Sequence, residues 1–311
     1  MNSKNILVIG STNVDFLIKS ERLPAFGETV TGGTFMQNFG GKGANQAVGA
    51  ARAGGQVTFV TCLGEDLYAK ELLHSFSSDG IHTGFVFKDP SAATGSALIM
   101  LDRDGNNYLS VASGANYKLS PAHIDKALDV LIGTEMIVLQ MEIPFETNAY
   151  VFKLAKQYGK KVLFNLAPAR PFDLSVLQQT YAFVVNEVEA SMVTGMKVET
   201  DEEIRAVAER LLQLGPAIAV ITLGARGSYI ASAEYRQFVP AFKVNSVDTT
   251  AAGDVYCGSL AVALTEGRSL PDAVLFAGAA SAISVTRLGA QPSAPRRSEI
   301  DEFMLQHNKN Q

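Results

Sequence analysis

The stretch Val247-Asp248-Thr249-Thr250-Ala251-Ala252-Gly253-Asp254 begins polar, narrows to three small residues and ends on a carboxylate. It runs into Val255-Tyr256-Cys257-Gly258 and an Ala-rich apolar segment reaching about Leu264. That succession predicts a sharp turn followed by a helix with at least one apolar face. The first amides of a helix have no partner within it, so a turn through Ala251, Ala252 and Gly253 leaves several open, a grouping that attracts anions. Asp254 sits at the same place. One reading is a carboxylate that takes a proton from a hydroxyl while the amides hold a phosphate. The other is an ordinary N-cap satisfying orphan donors.

Outward from this stretch the chain keeps a strand-helix rhythm. Ile6–Ile9 is a short apolar run ending at Gly10-Ser11, as expected of a buried parallel strand. Ala44–Ala53 reads as a tightly packed helix, Gln56–Cys62 as a strand and Ala69–Asp79 as a helix. Pro121 after Ser120 opens another helix. Strands follow at Met136–Gln140, Lys161–Asn165, Tyr181–Val185 and Ala217–Thr222. Helices fall at Phe145–Tyr158, from Thr200 or Asp201 to Leu214, and at Leu275–Val285, with a terminal helix in the tail. The expected fold is a three-layer α/β/α domain with a mostly parallel central sheet. Right-handed crossovers gather the loops after the strand C-termini on one edge, where such sheets bind ligands.

Two stretches break the rhythm. Phe16–Phe39 carries Leu-Pro, Phe-Gly and Thr-Gly-Gly without helical periodicity, and Gly95–Ala112 places Asp104-Gly105 between two β-like runs. The dipeptide is a hairpin turn signal. The expected organisation is therefore a main domain of residues 1–15, 40–94 and 113–311, and a small β-sheet lid of 16–39 and 95–112. Ile, Phe and Val on both faces of the lid predict a homodimer through paired lid sheets.

Composition narrows the classes. The chain has 311 residues, 47% hydrophobic and 18% charged, with net charge −5 and no Lys/Arg run beyond two. Nucleic-acid binding needs a basic face, so nucleic acid is not an expected partner. No stretch is apolar over the roughly eighteen residues of a membrane span, and the N-terminus does not read as a signal peptide. Cys62 and Cys257 read as buried thiols in a reducing compartment, so the expected location is the cytoplasm. His74, His82, His123 and His307 have no ligand spacing. Gly10-Ser11-Thr12-Asn13 does not continue as a dinucleotide fingerprint, against a dehydrogenase. A non-catalytic sugar-binding protein would lack either the Asp254 carboxylate or the amide turn, and both are present.

Together, Val247–Asp254 and the upstream run Gly40-Gly41-Lys42-Gly43-Ala44-Asn45-Gln46-Ala47 resemble the two signatures of the ribokinase-like (PfkB) carbohydrate kinases, in the family's order. The upstream run is not a P-loop, because G-x-x-x-x-G-K-[ST] is absent. The resemblance implies ATP-dependent phosphorylation of D-ribose at O5, with fructose, deoxyribose, adenosine or pseudouridine as alternative acceptors. It makes Asp254 the base and Ala251–Gly253 the anion hole. It puts Asn13, Asp15, Gly40, Gly41, Lys42, Asn45 and Glu142 around the sugar, the glycines letting backbone approach it. On the nucleotide side it implies Asn186, the loop Thr222-Leu223-Gly224-Ala225-Arg226-Gly227, Gly253 and, at the adenine, Gly278, with Arg226 either facing phosphate or lying on the surface. Glu189 would hold Mg²⁺ through water. A monovalent cation, K⁺, would be held by Asp248, by the carbonyls of Thr250, Ser284, Arg287 and Gly289, and by Ser293.

Overall fold

The structure is a computed structural model and describes residues 5–308. The chain opens with β1 (Asn5–Ile9), β2 (Asn13–Lys19), β3 (Thr34–Gly40), α1 (Lys42–Arg52), β4 (Gln56–Gly64) and α2 (Leu67–Ser78). It continues through β5 (His82–Asp89), β6 (Gly95–Leu101), β7 (Asn107–Ala112), α3 (Pro121–Lys126), α4 (Leu128–Gly133), β8 (Met136–Leu139) and α5 (Phe145–Tyr158). Next come β9 (Lys161–Asn165), β10 (Ala182–Asn186), α6 (Glu187–Thr194), α7 (Asp201–Gln213), β11 (Ile218–Thr222), β12 (Ser228–Ser232) and β13 (Arg236–Val239). The last elements are α8 (Ala252–Thr265), α9 (Leu270–Ser284) and α10 (Arg297–Asn308).

Among the described residues the strands form two sheets. The large one has the order β13-β12-β11-β10-β9-β8-β1-β4-β5, parallel from β11 through β5 and closed at one edge by the antiparallel pair β12 and β13. Its central strands bury both faces. In β1, Ile6 and Val8 join the core under α1, α8 and α9, whereas Leu7 and Ile9 join the core under α3, α5 and α7. This two-sided burial makes the strands read as continuous apolar runs and produces the three-layer α/β/α architecture.

The small sheet has the order β3-β2-β6-β7. Asp102 organises its β6–β7 turn by accepting the amides of Asp104 and Asn106 at 2.9 and 2.8 Å, and Gly105 takes φ 87°. The expected boundary at residue 16 falls inside β2, because Asn13 already pairs with Gly40 on β3 and Gly95 on β6. The strand that carries Asn13 and Asp15 thus continues outward into the small sheet.

Several helices begin earlier than expected. The helix expected from Ala44 starts at Lys42, whose amide donates to the Glu142 carboxylate at 2.9 Å from another element. The helix expected from Leu275 starts at Leu270, because Ser269 caps Asp272 and Pro271 fits the first turn. Thr200 caps α7 in a capping box with Glu203. β5, β12 and β13 were not expected. Both cysteines are free and buried. No helix of the described residues is long and apolar enough to cross a membrane.

Candidate active site

α8 starts at a strained turn. Ala251 has φ 59°, a left-handed conformation that costs a residue bearing a Cβ of order 1 kcal/mol or more. Of the three amides expected to be open, that of Ala252 donates to the Thr249 carbonyl at 3.2 Å. This corrects the expectation for Ala252: the left-handed turn folds its amide back one 3₁₀ step. The amides of Ala251, Gly253 and Asp254 meet no acceptor among the described residues. A Cβ on Gly253 would touch nothing within 4 Å, so the fold itself does not require glycine there.

Asp254, on the first turn of α8, is 5% exposed. Asn45 Nδ2 donates to its Oδ2 at 3.1 Å and Gln46 Nε2 to its Oδ1 at 2.9 Å. Burial pushes its pKa up, opposed chiefly by the Lys42 ammonium and then by the two amide donors. Lys42 is in turn pushed up, most by Asp254, then by Glu142 and Glu189. Asp15, at the base of the small sheet, is raised to about 6 by burial and by the like charges of Glu142 and Asp254. Three carboxylates, Asp254, Glu142 and Glu189, thus act on one lysine, and Asp15 adds a fourth beside Glu142 and Asp254.

The sugar-side residues predicted from sequence come together here, although several do other work. Glu142 accepts the Ser11 hydroxyl at 2.6 Å and the Lys42 amide at 2.9 Å, so its carboxylate caps α1. Asn13 accepts from Asn116 Nδ2 at 2.8 Å, and Asn116 also receives the Thr12 amide. The glycines of the upstream signature are needed by the chain itself. A Cβ at Gly40 would lie 2.0 Å from an Asp15 oxygen, and one at Gly41 (φ 87°) 2.7 Å from the Asn13 nitrogen. These contacts are a packing demand that stands beside the expected approach of backbone to the sugar. Ser11, Gln46, Gln140, Asn116 and Asn165 were not anticipated. Gln46 lies inside the signature run, which was the available clue.

On the other flank, Asn186 and Glu189 close a capping box at the start of α6: each accepts the other's backbone amide at 2.8 Å. Glu189 is 6% exposed, and burial pushes its pKa up. Its second oxygen, Oε1, accepts no hydrogen bond among the described residues. Thr222 ends β11 in register with Asn186, and its hydroxyl points to the Val185 carbonyl at 3.4 Å. Leu223 is buried, and Gly224 (φ 55°) and Ala225 continue into a 3₁₀ turn. Gly227 has φ 95°, and a Cβ there would strike the Val239 carbonyl at 2.1 Å. Arg226 pairs with Glu187 at 2.8 Å and faces Asp201 at 3.7 Å, with its side chain 45% exposed. Gly278 lies one turn before Ser281, whose hydroxyl donates to the Ala252 carbonyl at 3.1 Å. A Cβ on Gly278 would touch nothing within 4 Å.

The predicted cation residues also converge. Asp248 accepts the Thr250 and Gly289 amides, each at 2.9 Å, tying the segment before α8 to the turn after α9. Although burial acts to raise it, bonds from Thr250 and Gly289 hold its pKa below the usual value. The carbonyls of Thr250, Arg287 and Gly289 accept no hydrogen bond among the described residues. The Ser284 carbonyl accepts the Arg287 amide at 3.0 Å. Ser293, expected to complete a shell, turns its hydroxyl to Ser284 at 2.7 Å and donates to the Ala290 carbonyl at 2.7 Å. The donor set, all hard oxygen with three unengaged carbonyls, fits an alkali cation. Among the described residues no group of three or more His, Cys, Asp or Glu is arranged to hold a metal by itself.

The sequence profile of the pfkB family carbohydrate kinases matches residues 3–297. The chain belongs to this family. A ribokinase from Staphylococcus aureus (strain COL) is 35% identical over 302 residues, 96% of this chain and 99% of that protein. A deoxyribokinase from Salmonella typhi is 37% identical over 305 residues, 96% and 98% of the two chains. A bifunctional ribokinase/ribose-5-phosphate isomerase A from Fructilactobacillus sanfranciscensis is 38% identical, and the chain spans 55% of its length. Among solved structures, Arabidopsis thaliana ribokinase complexed with ribose and ATP superposes with TM-score 0.90 at 34% identity, covering 97% of this chain and 99% of that one. Thermotoga maritima ribokinase gives 0.88 at 38% identity, covering 96% and 99%.

Proposed function

We propose that the protein transfers the γ-phosphoryl group of ATP to the 5-hydroxyl of D-ribose, giving D-ribose 5-phosphate and ADP. The observation that carries this reading is Asp254: a buried carboxylate held on both oxygens, on a helix turn whose neighbouring amides are unengaged. Asp254 takes the proton as the sugar oxygen bonds to phosphorus and the bond to the β-phosphate oxygen breaks. The amides of Ala251, Gly253 and Asp254 meet the charge on the transferring group, in keeping with phosphoryl transfer, where positioning and electrostatics dominate. Lys42, Asn45, Asp15 and Asn13 bind the sugar, with Glu142 holding Lys42's helix in place. Asn186 and the loop from Thr222 to Gly227 face the nucleotide, and Gly278 leaves room beside the α8 turn for the base.

Two ions belong to the proposal. Glu189 would hold Mg²⁺ through water using Oε1, and the ion would neutralise charge on the β- and γ-phosphates. Asp248, Ser284, Ser293 and the carbonyls of Thr250, Arg287 and Gly289 would hold K⁺, which would stiffen the turn bearing the open amides. The small sheet acts as a lid that excludes water and so limits ATP hydrolysis. By register its apolar residues fall on both faces: Ile18, Phe35 and Leu98 on one, Met36, Leu109 and Val111 on the other. A sheet apolar on both sides supports a homodimer in which the lids pair. The two free thiols and the use of ATP support a cytoplasmic location.

The test is an ADP-release assay on ribose, 2-deoxyribose, fructose, adenosine and pseudouridine, with and without K⁺. Ribose is expected to give the highest kcat/KM, and K⁺ to raise turnover. If adenosine or pseudouridine exceeds ribose by about tenfold, roughly 1.4 kcal/mol in transition-state binding, the acceptor is misassigned. A second reading, 2-deoxyribose, is favoured by the deoxyribokinase relative, which is as similar as the ribokinases.

A further inference from the structure

Gln46 reaches Asp254 through contacts that begin in the backbone. α1 and α8 cross closely because their facing residues are small: a Cβ on Gly258 would lie 2.4 Å from the Gln46 carbonyl, and one on Gly49 3.2 Å from the Val255 Cα. At that separation the Gln46 side chain, fully buried, bridges to the first turn of α8. Its amide group is fully engaged. Nε2 donates to Asp254 Oδ1 at 2.9 Å and to Asn165 Oδ1 at 3.1 Å, while Oε1 accepts from Gln140 Nε2 at 2.8 Å. Asn165 is oriented in turn by donating to the Val184 carbonyl at 3.2 Å. Gln140 is seated where Gly10 has no side chain, since a Cβ there would fall 2.0 Å from Gln140 Oε1.

The chain of partners has one polarity. Asn165, whose Nδ2 faces the Val184 carbonyl, turns its Oδ1 to Gln46 and so calls for a donor, and Gln140, whose Oε1 has no partner, supplies the donor that Gln46 Oε1 accepts. Only one orientation of the Gln46 amide satisfies both, and that orientation aims an N–H at Asp254.

We infer that Gln46 is a positioning residue for Asp254, a donor locked by Gln140 and Asn165 that fixes the rotamer of the carboxylate and holds it in its proton-accepting form. The inference rests on Asp254 being the proton acceptor proposed above. A hydrogen bond to a carboxylate favours its charged form. Here it works with the Asn45 amide and the Lys42 ammonium on α1, against burial and the negative charges around the site. Those charges are Glu142 after β8, Asp15 on β2 and Glu189 on α6, with the Cys257 thiol one turn along α8. Removing the Gln46 donor tips that balance toward the protonated, inactive form.

The experiment compares Gln46→Met, Gln140→Met and Asp254→Asn with the parent, measuring kcat at saturating ribose and ATP from pH 5 to 9, ribose KM and Tm. Saturating ribose keeps Asp15, which acts through sugar binding, out of the kcat profile. Gln46→Met is expected to lower kcat about 10- to 100-fold, leave KM within about threefold and move the acidic limb of kcat upward by about one pH unit. Gln140→Met removes both the donor that locks Gln46 and the Oε1 that has no partner, so it trades one unpaired buried oxygen for another, Gln46 Oε1, and moves the limb the same way by less. It carries the test if Gln46→Met does not fold. A folded variant with a lower kcat but an unmoved limb, or with parental kcat and limb, overturns the inference. If Asp254→Asn keeps turnover, the parent assignment of the base falls. If Asp254→Asn is inactive while the methionine variants keep the parental limb, only the role of Gln46 falls.

Discussion

Asp254 and Asp15 are both carboxylates pushed upward by burial, yet their surroundings assign them different work. Asp254 has a hydrogen bond on each oxygen and a lysine nearby, whereas the Asp15 carboxylate has no hydrogen-bond partner among the described residues and faces two like charges. Asp254→Asn is expected to lower kcat by about 10²- to 10⁴-fold, the usual worth of a positioned base, while ribose still binds by calorimetry. For Asp15 the folded value near 6 lies above the ordinary aspartate value of 3.8, so folding favours the protonated form. The resulting destabilisation is absent below the unfolded value, grows as pH rises through about 6 and is complete above it. Asp15→Asn should therefore raise Tm at pH 8, leave it unchanged at pH 3.5 and weaken ribose binding. An unchanged Tm at pH 8 would sink the electrostatic reading of this residue. Sugar affinity of the parent should also fall as pH drops through about 6, as the carboxylate loses the charge with which it accepts hydroxyl protons.

At the scale of elements, α8 couples the chemistry to the packing. Its first turn carries Gly253 in open space, whereas its second carries Gly258 against the α1 backbone. The two glycines should separate in experiment. Gly253→Ala places a methyl where nothing lies, so urea unfolding should show stability unchanged or raised by up to about 1 kcal/mol. Its activity should drop, because the methyl occupies the space where the proposed phosphoryl group approaches. Gly258→Ala is expected to cost about 1–3 kcal/mol, because its Cβ would overlap the Gln46 carbonyl. Equal effects of the two changes on stability would contradict this division. Much of this level was legible in sequence. Phe145–Tyr158 and Lys161–Asn165 have the expected bounds, their apolar periodicity being uninterrupted and their ends marked by Pro144 and Gly159. β12 and β13 were not, because strands of 5 and 4 residues, with Tyr229-Ile230 and Phe238-Val239 as their only large apolar pairs, are too short to show a period.

For the whole molecule, the small sheet stands over the proposed sugar site because β2 runs from one into the other. β2 carries Asn13 and Asp15 at its base and Ile18 at its exposed end, so any movement of the sheet moves the groups proposed to face the sugar. If the lids pair, Leu98→Lys with Leu109→Lys should shift sedimentation toward the monomer at micromolar concentration. Ribose KM should rise by about tenfold or more, since unpaired lids close less often. A parental sedimentation profile in a folded double variant would rule out pairing through this sheet.

The chain alone determined the alternation of strands and helices, the two interrupting β stretches and the signatures around Gly40 and Asp254, because periodicity, turn chemistry and motif composition are local. Tertiary structure decided what those residues touch. It turned Glu142 into the cap of a distant helix, paired Arg226 with Glu187, engaged the Ala252 amide and brought Gln46, Gln140 and Asn165 into one network with Asp254. Partners so far apart in sequence meet only through the close crossing of α1 and α8 and the register of β8, β9 and β10, distances that no local pattern of residues encodes.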